Sequence, residues 1–205
     1  MSNTKKPRGY FEKALFIDAE TSGLAFNAID PTYDEATGNT YQAVSIGLVV
    51  ADSSTLEPVD ELYVEIKSNG ESTWSPAAEA VHGLSLAYLE EHGLSEEDAV
   101  VEIATFILKY WGPEGVICLG GHNVARFDLF YLKRLMESQG INLRFGSRTI
   151  DSSAVGFVAL ETYNSDDLFE LVGLPERDPA KHNALTDAHN SLTACRMIRK
   201  MIAAS

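Results

Sequence analysis

ALFIDAETSGL, residues 14–24 of this 205-residue chain, joins an apolar run to two acidic side chains. The first four residues predict a short buried strand, and Asp18 follows them directly. Asp18 and Glu20 are two positions apart, so an extended chain points both side chains to the same face. Two carboxylates about 4 Å apart repel each other by a few kcal/mol at an effective dielectric of about 20. A divalent cation would remove that repulsion, although an isolated Asp-x-Glu pair also fits a solvated strand end.

Apolar runs and helical patterns alternate along the rest of the chain. Strands are predicted at 43–50, 61–66 and 115–119, with another ending at 149–151, and helices at 95–110, 128–138, 153–161, 166–171 and 183–203. We expect 43–50 to be a central strand and 61–66 an edge or half-buried strand. The polar stretch 27–41 predicts a solvated flap or a partner-contact loop, or a hairpin with its tip at 37–40. This order of elements indicates a layered α/β fold on a mixed sheet.

Composition indicates a single globular domain, residues 1–205, in which residues 1–12 are expected to be flexible. No apolar run approaches the roughly 18 residues of a membrane span, and the N-terminus lacks the apolar core of a secretion signal. The two cysteines, Cys118 and Cys195, fit no disulfide framework or metal pattern and are expected to be buried thiols. These features predict a cytoplasmic protein without membrane contact.

Two later segments place polar side chains where a helix begins. GGHNVARFD, residues 120–128, follows a predicted strand, and Asp128 opens the next helix. HNALTD, residues 182–187, opens the last helix, with His182 expected in the loop ahead of it and reaching towards whatever Asp187 binds. Taken singly, each segment also fits an ordinary helix N-terminus, where the helix dipole favours an acidic side chain.

These segments resemble the three exonuclease motifs of the DEDDh, or DnaQ-like, family, which includes replicative proofreading subunits, ribonuclease T and oligoribonuclease. The matching residues are 16–24, then 121–123 with Phe127 and Asp128, then His182 with Asp187. VHGLS, residues 81–85, also resembles a segment of the proofreading branch. The resemblance implies a ribonuclease-H-like fold, with a five-stranded mixed sheet flanked by helices. It also implies a 3'→5' exonuclease that releases nucleoside monophosphates from single-stranded or frayed 3' ends.

The resemblance further assigns roles to individual residues. Asp18, Glu20, Asp128 and Asp187 would hold two cations, and His182 would act as the general base. Oxygen ligands of this kind select Mg²⁺ or Mn²⁺, and two such ions can activate water and stabilise a leaving oxygen. Positions matched to nucleotide binding are Thr21, Gly23, Leu24, His82, Asn123 and Phe127.

The net charge of −14 conflicts with an extended nucleic-acid footprint, because proteins that grip a phosphate backbone usually present a basic surface. Two divalent cations would offset the four acids of the site, so we expect weak binding of only a few terminal nucleotides.

Several alternatives stay open at this point. DNA is slightly favoured over RNA, but an exoribonuclease of the ribonuclease T or oligoribonuclease type fits the same motifs. A catalytically weak binding subunit associated with a polymerase, or a nuclease of the same fold that cuts internally, would also fit them. The partners expected are single-stranded DNA or RNA 3' ends, with a homodimer or a polymerase as further candidates.

Overall fold

A five-stranded sheet forms the centre of the computed structural model, which describes residues 11–26, 28–176 and 182–204. Its strands are β1 (Lys13–Thr21), β4 (Ala43–Asp52), β5 (Pro58–Glu65), β6 (Ile117–Gly121) and β7 (Phe145–Asp151). Two short strands, β2 (Tyr33–Asp34) and β3 (Asn39–Thr40), form a separate hairpin. The sheet has the order β5-β4-β1-β6-β7. Strand β4 is antiparallel to β1 and β5, whereas β6 is parallel to β1 and β7. This arrangement confirms the predicted mixed five-stranded sheet.

Seven helices are present in the described residues: α1 (Pro76–His82), α2 (Leu86–His92), α3 (Glu96–Trp111), α4 (Asp128–Ser138), α5 (Ser152–Leu160), α6 (Ser165–Leu171) and α7 (Ala184–Ala204). The five predicted helices agree with α3 to α7 to within one residue at each end. Helices α1 and α2 were not predicted, because seven residues are too few to establish a helical period. Each is instead begun by a serine, Ser75 or Ser85, whose Oγ accepts a backbone N–H of the first turn. None of the described helices has the length and apolar character required to cross a membrane.

Several details refine the sequence expectation or differ from it. Strand β4 pairs with both β1 and β5 and so lies inside the sheet as expected, while β1 occupies the middle position. Strand β1 is longer than the apolar run predicts and continues to Thr21, with Asp18 and Glu20 near its end. The hairpin turn falls at 35–38, between β2 and β3, two residues before the predicted tip. The predicted flexible segment 1–12 lies almost wholly outside the described residues.

The two faces of β1 enter different parts of the core. Leu15 and Ile17 pack in the cluster that includes residues of α3 and α4, whereas Phe16 packs in the cluster formed with α7. Cys118 and Cys195 lie in this second cluster, where burial raises the pKa of both thiols, that of Cys195 to about 12. The buried thiols predicted from the sequence are therefore confirmed.

A glycine in β4 sets how closely α7 approaches the sheet. Gly47 pairs with Asp18 across β1 and β4. A Cβ atom at this position would lie 2.2 Å from the backbone nitrogen of Leu185 and 2.3 Å from the carbonyl carbon of Ala184. The first turn of α7, and with it Asp187, can therefore lie directly on the sheet only because residue 47 has no side chain.

We predict that Gly47→Ala lowers the free energy of unfolding by about 1–3 kcal/mol, because the methyl group must push the start of α7 off the sheet. Urea denaturation followed by circular dichroism measures the change. Gly146→Ala on β7 is the matched control, since its nearest neighbour, the Phe11 ring, would lie 3.2 Å away. An unchanged midpoint for Gly47→Ala would contradict the close contact between β4 and α7.

Candidate active site

Two of the acidic side chains belong to the central strand. Asp18 and Glu20 lie near the end of β1, where Asp18 is half-buried and Glu20 is buried. Their spacing on one strand gives them a common face, as the sequence predicts. The antiparallel partner β4 fixes this position through the pairs Asp18–Gly47 and Glu20–Ser45.

The third acidic side chain comes from the first residue of α4. Asp128 is only 2% exposed, and its Oδ1 accepts the backbone N–H of Ala19 at 2.9 Å. Because Ala19 lies between Asp18 and Glu20, this hydrogen bond sets the Asp128 carboxyl against the acidic end of β1. Burial raises the pKa of Asp128 well above its usual range; backbone hydrogen bonds oppose the shift and the nearby carboxylates of Glu20 and Asp151 reinforce it.

The fourth acidic side chain and the histidine come from the start of α7. Asp187 is buried in the first turn, where its N–H donates to the carbonyl of Asn183 at 2.9 Å. His182 precedes the helix, as predicted, and its backbone N–H donates to the carbonyl of Val81 at 3.1 Å. The end of α1 therefore holds the histidine loop in place.

Glu20, His182 and Asp187 converge in the fold. One ligand atom from each side chain lies within 4.8 Å of the others, although 162 residues separate Glu20 from His182 in the sequence. Carboxylate oxygens with an imidazole nitrogen suit a divalent cation. Asp18 and Asp128 are not part of this group of three. Asp18 lies on the same strand as Glu20, and Asp128 accepts a hydrogen bond from the backbone of that strand. The donor set fits metal binding.

A network of backbone contacts fixes the residues that follow β1. Ser22 donates its N–H to the carbonyl of Gln42, and its own carbonyl accepts the N–H of Ser75 at 2.7 Å. A Cβ atom on Gly23 would lie 2.6 Å from the Tyr41 ring, so a glycine is required there. The predicted nucleotide-binding positions Thr21, Gly23 and Leu24 thus sit in a tightly held turn beside the acidic residues.

The other predicted nucleotide-binding residues occupy different surroundings. Asn123 is exposed with a left-handed φ of 56°, and its N–H donates to Asp151 Oδ1 at 2.9 Å. Phe127 is half-buried and packs on the Tyr131 ring with centroids 5.0 Å apart. His122, from the same turn, bonds Ser152 Oγ and the carbonyl of Tyr163, which ties the turn to α5 and to the residues before α6.

His82 is buried at the end of α1, close to the histidine loop. Its Nδ1 accepts the N–H of Leu84 at 3.0 Å, so the neutral ring carries its proton on Nε2. That nitrogen is buried and makes no hydrogen bond within 3.5 Å to the described residues. Burial lowers the pKa of His82 and the nearby His182 reinforces this shift, whereas Glu79 and the backbone of Thr21 oppose it; the neutral ring is favoured.

Sequence reasoning missed two residues that shape the site. Gly47 admits the start of α7, and Asp151 binds the backbone of Asn123 and contributes to the raised pKa of Asp128. A glycine inside the apolar run 43–50 was the available signal for the first. Asp151 ends its strand as predicted, but nothing in the sequence shows that it faces the 121–123 turn.

Solved structures of E. coli exonuclease I have a fold similar to that of this chain. A complex with a 5cy-dT13 oligonucleotide matches 92% of the chain with a TM-score of 0.69 and 14% identity. A zinc-bound complex with single-stranded DNA and a further exonuclease I structure each match 93%, with a TM-score of 0.71 and 15% identity. The chain spans 41% of the length of each of these proteins. The likeness supports the predicted ribonuclease-H-like fold; neither a family model nor a curated protein matches the sequence.

We predict that Asp128→Asn stabilises the metal-free protein and weakens its response to cations. The amide keeps an oxygen for the Ala19 N–H but removes a buried charge, and a gain of about 1 kcal/mol corresponds to a rise of about 2–4 °C in Tm. Mn²⁺ should then raise Tm less than it does in the wild type. Thermal unfolding with EDTA and with Mn²⁺ measures both effects, with Glu137→Gln, exposed on the same helix, as control. A lower Tm in EDTA would contradict a repulsive carboxylate at this position.

Proposed function

We propose that this protein is a metal-dependent 3'→5' exonuclease that releases nucleoside monophosphates from single-stranded or frayed 3' ends, with DNA favoured over RNA. The observation that carries the proposal is the convergence of Glu20, His182 and Asp187 within 4.8 Å, beside the buried Asp128. Side chains of this kind serve phosphodiester hydrolysis, which needs an activated water and a stabilised leaving oxygen.

The cofactor in this proposal is Mg²⁺ or Mn²⁺, bound as two ions by Asp18, Glu20, Asp128 and Asp187. Hard oxygen ligands favour these ions over softer metals, and both cysteines are buried in an apolar cluster with Phe16 and Leu192. Such ions supply activation of the attacking water and neutralisation of charge on the leaving oxygen. They would also offset the burial and the weaker carboxylate repulsion that raise the pKa of Asp128.

His182 is the proposed general base. Its backbone is fixed by Val81, and its ring nitrogen lies among the ligand atoms of Glu20 and Asp187. From this position the imidazole accepts a proton from the water that attacks the phosphodiester. The neighbouring His82 favours its neutral form and therefore places no positive charge beside His182.

The terminal nucleotide would bind beside the acids. Thr21, Gly23 and Leu24 present a held backbone and an apolar side chain there, and the buried Nε2–H of His82 offers a donor that makes no hydrogen bond within 3.5 Å to the described residues. Asn123 and Phe127 complete the proposed contacts from the turn before α4. The family resemblance carries these assignments, and the turn geometry is compatible with them.

The comparisons support a nuclease that acts on single strands. Several of the similar structures are complexes of exonuclease I with an oligonucleotide such as dT13 or with single-stranded DNA. This chain spans well under half of that protein, so its own substrate and its partners, whether a second copy or a polymerase, are proposals. The net charge of −14 agrees with a short footprint, in which cations and not basic residues meet the phosphates.

We predict that the wild-type protein with Mg²⁺ or Mn²⁺ releases mononucleotides from 3'-labelled single-stranded DNA faster than from matched RNA or paired duplex. A circular single strand should resist, because an exonuclease needs an end. Asp18→Ala and Asp187→Ala should abolish release while the fold is retained, whereas Glu137→Ala should act as wild type. If no substrate yields mononucleotides, only a binding role is left. Faster release from RNA would favour the exoribonuclease. Cleavage of the circular strand would favour a nuclease that cuts internally.

For His182→Ala we expect a loss of kcat of about 10²–10⁴-fold, the usual contribution of a positioned base, with cation binding largely kept. The carboxylates that hold the ions are unchanged in this variant. Isothermal titration with Mn²⁺ and single-turnover hydrolysis separate the two properties. Near-normal turnover would exclude His182 as the base.

A further inference from the structure

The loop after β1 exposes large apolar side chains next to the candidate site. We call residues 24–26 and 28–36 the flap. Phe26 is 88% exposed, Ile29 81% and Tyr33 41%. Exposed apolar side chains that cluster on one surface mark a place where a ligand or partner binds.

The flap lines an open cavity of about 670 Å³. This volume falls in the range of roughly 300–1,000 Å³ that is usual for ligand sites. Four apolar or aromatic side chains line the cavity: Leu24, Phe26, Ile29 and Tyr33. Three acidic side chains line it as well: Asp30, Asp34 and Glu35. Leu24 lines this cavity, lies four positions after Glu20 and is itself one of the residues proposed to hold the terminal nucleotide, so the cavity adjoins that proposed site.

Helix α4 fixes the position of the flap. Just before this helix, Arg126 donates through Nη1 to the carbonyl of Ile29 at 2.5 Å and through Nη2 to that of Ala28 at 3.1 Å. The Tyr131 hydroxyl lies 2.8 Å from the carbonyl of Gly23 and 3.0 Å from that of Pro31. Because the same helix begins with Asp128, the cavity and the acidic residues keep a fixed relative position.

We infer that this cavity binds nucleobases of the strand that enters the active site, immediately upstream of the terminal nucleotide. The inference rests on the proposed function and deepens it. Phe26 and Tyr33 present aromatic rings on which bases can stack irrespective of their sequence. A single strand leaving the site past Leu24 meets these rings next.

The charge of the cavity decides which part of the strand faces it. Hydrogen bonds from Thr37 and from the Ala36 N–H lower the pKa of Asp34, so this carboxylate is ionised at neutral pH. Asp30, Asp34 and Glu35 repel phosphates and accept hydrogen bonds from the exocyclic amino groups of cytosine and adenine. Thymine offers carbonyl oxygens on either side of its single N–H. The bases therefore turn inward, and those that carry amino groups bind more tightly than thymine.

Binding is measured first, without catalysis. In an Asp18→Ala background, fluorescence anisotropy gives the Kd of labelled oligo-dC and oligo-dT of equal length. We expect Phe26→Ala or Tyr33→Ala to weaken oligo-dC binding about 5- to 150-fold, as about 1–3 kcal/mol per stacked base implies. Oligo-dC should bind more tightly than oligo-dT, and Glu35→Gln should reduce the difference.

Two variants control for general effects of substitution. Tyr88→Ala removes a tyrosine on α2 that is 41% exposed, as Tyr33 is, and should leave binding unchanged. Phe26→Trp keeps an aromatic ring and should restore binding. Oligonucleotides with one abasic position, moved in steps from the 3' end, identify the base that stacks: at that position Phe26→Ala should cause no further loss.

A small substrate separates this inference from the proposed function. The p-nitrophenyl ester of thymidine 5'-phosphate should reach the acids without the flap, so the wild type and Phe26→Ala should hydrolyse it equally. Wild-type protein that hydrolyses neither ester nor oligonucleotide overturns the function, whereas the binding series still tests the cavity. Equal Kd values for Phe26→Ala, Tyr33→Ala and wild type overturn the inference. A nona-arginine peptide provides a second test. If it binds the wild type and loses affinity for Phe26→Ala while DNA binding is unchanged, the inference is overturned, because the cavity would then receive a basic protein segment.

Discussion

A buried hydrogen bond between the backbone of Ala19 and the carboxylate of Asp128 links two parts of the chain that are 109 residues apart. It places a third acidic side chain against a strand that already carries Asp18 and Glu20. Burying carboxylates side by side is unfavourable, and the raised pKa of Asp128 records that cost. The sheet, the start of α4 and the turn at 121–123 together hold this strained set of charges in place. A cation converts the same repulsion into binding energy, which is why the metal-dependent interpretation explains the geometry.

The opposite end of the chain completes the site through packing. Helix α7 can begin directly on the sheet because Gly47 has no side chain, and this brings Asp187 beside Glu20. The carbonyl of Val81 holds the loop that carries His182. A helix of only seven residues, α1, thus determines where the proposed base lies. Long-range packing and one backbone hydrogen bond therefore set the positions of Asp187 and His182, which no local sequence pattern could specify.

An acidic protein that acts on a polyanion must keep most of its surface away from the phosphates. In the proposed function, cations held by the acids would meet the scissile phosphate, and the flap would offer aromatic rings and carboxylates to the bases. The basic side chain of Arg126, just before α4, donates its hydrogen bonds to two carbonyls of the flap. Recognition in this scheme depends more on bases than on backbone charge, which reconciles the net charge of −14 with a nucleic-acid substrate.

The sequence by itself determined the α/β class, the five long strands and five of the helices, because each has a clear apolar period or a capping residue. It also predicted the acids and the histidine as site residues, because three separated motifs together resemble those of the DEDDh family, although each motif alone fits an ordinary strand end or helix start. It did not determine that β1 is central, that α1 and α2 exist, or that Gly47, Asp151 and Arg126 shape the site. Those features depend on which elements pack together, and contacts between residues a hundred positions apart leave no local pattern. Only the tertiary structure brings Glu20, His182 and Asp187 within reach of one ion, because their proximity follows from close packing of α7 on the sheet.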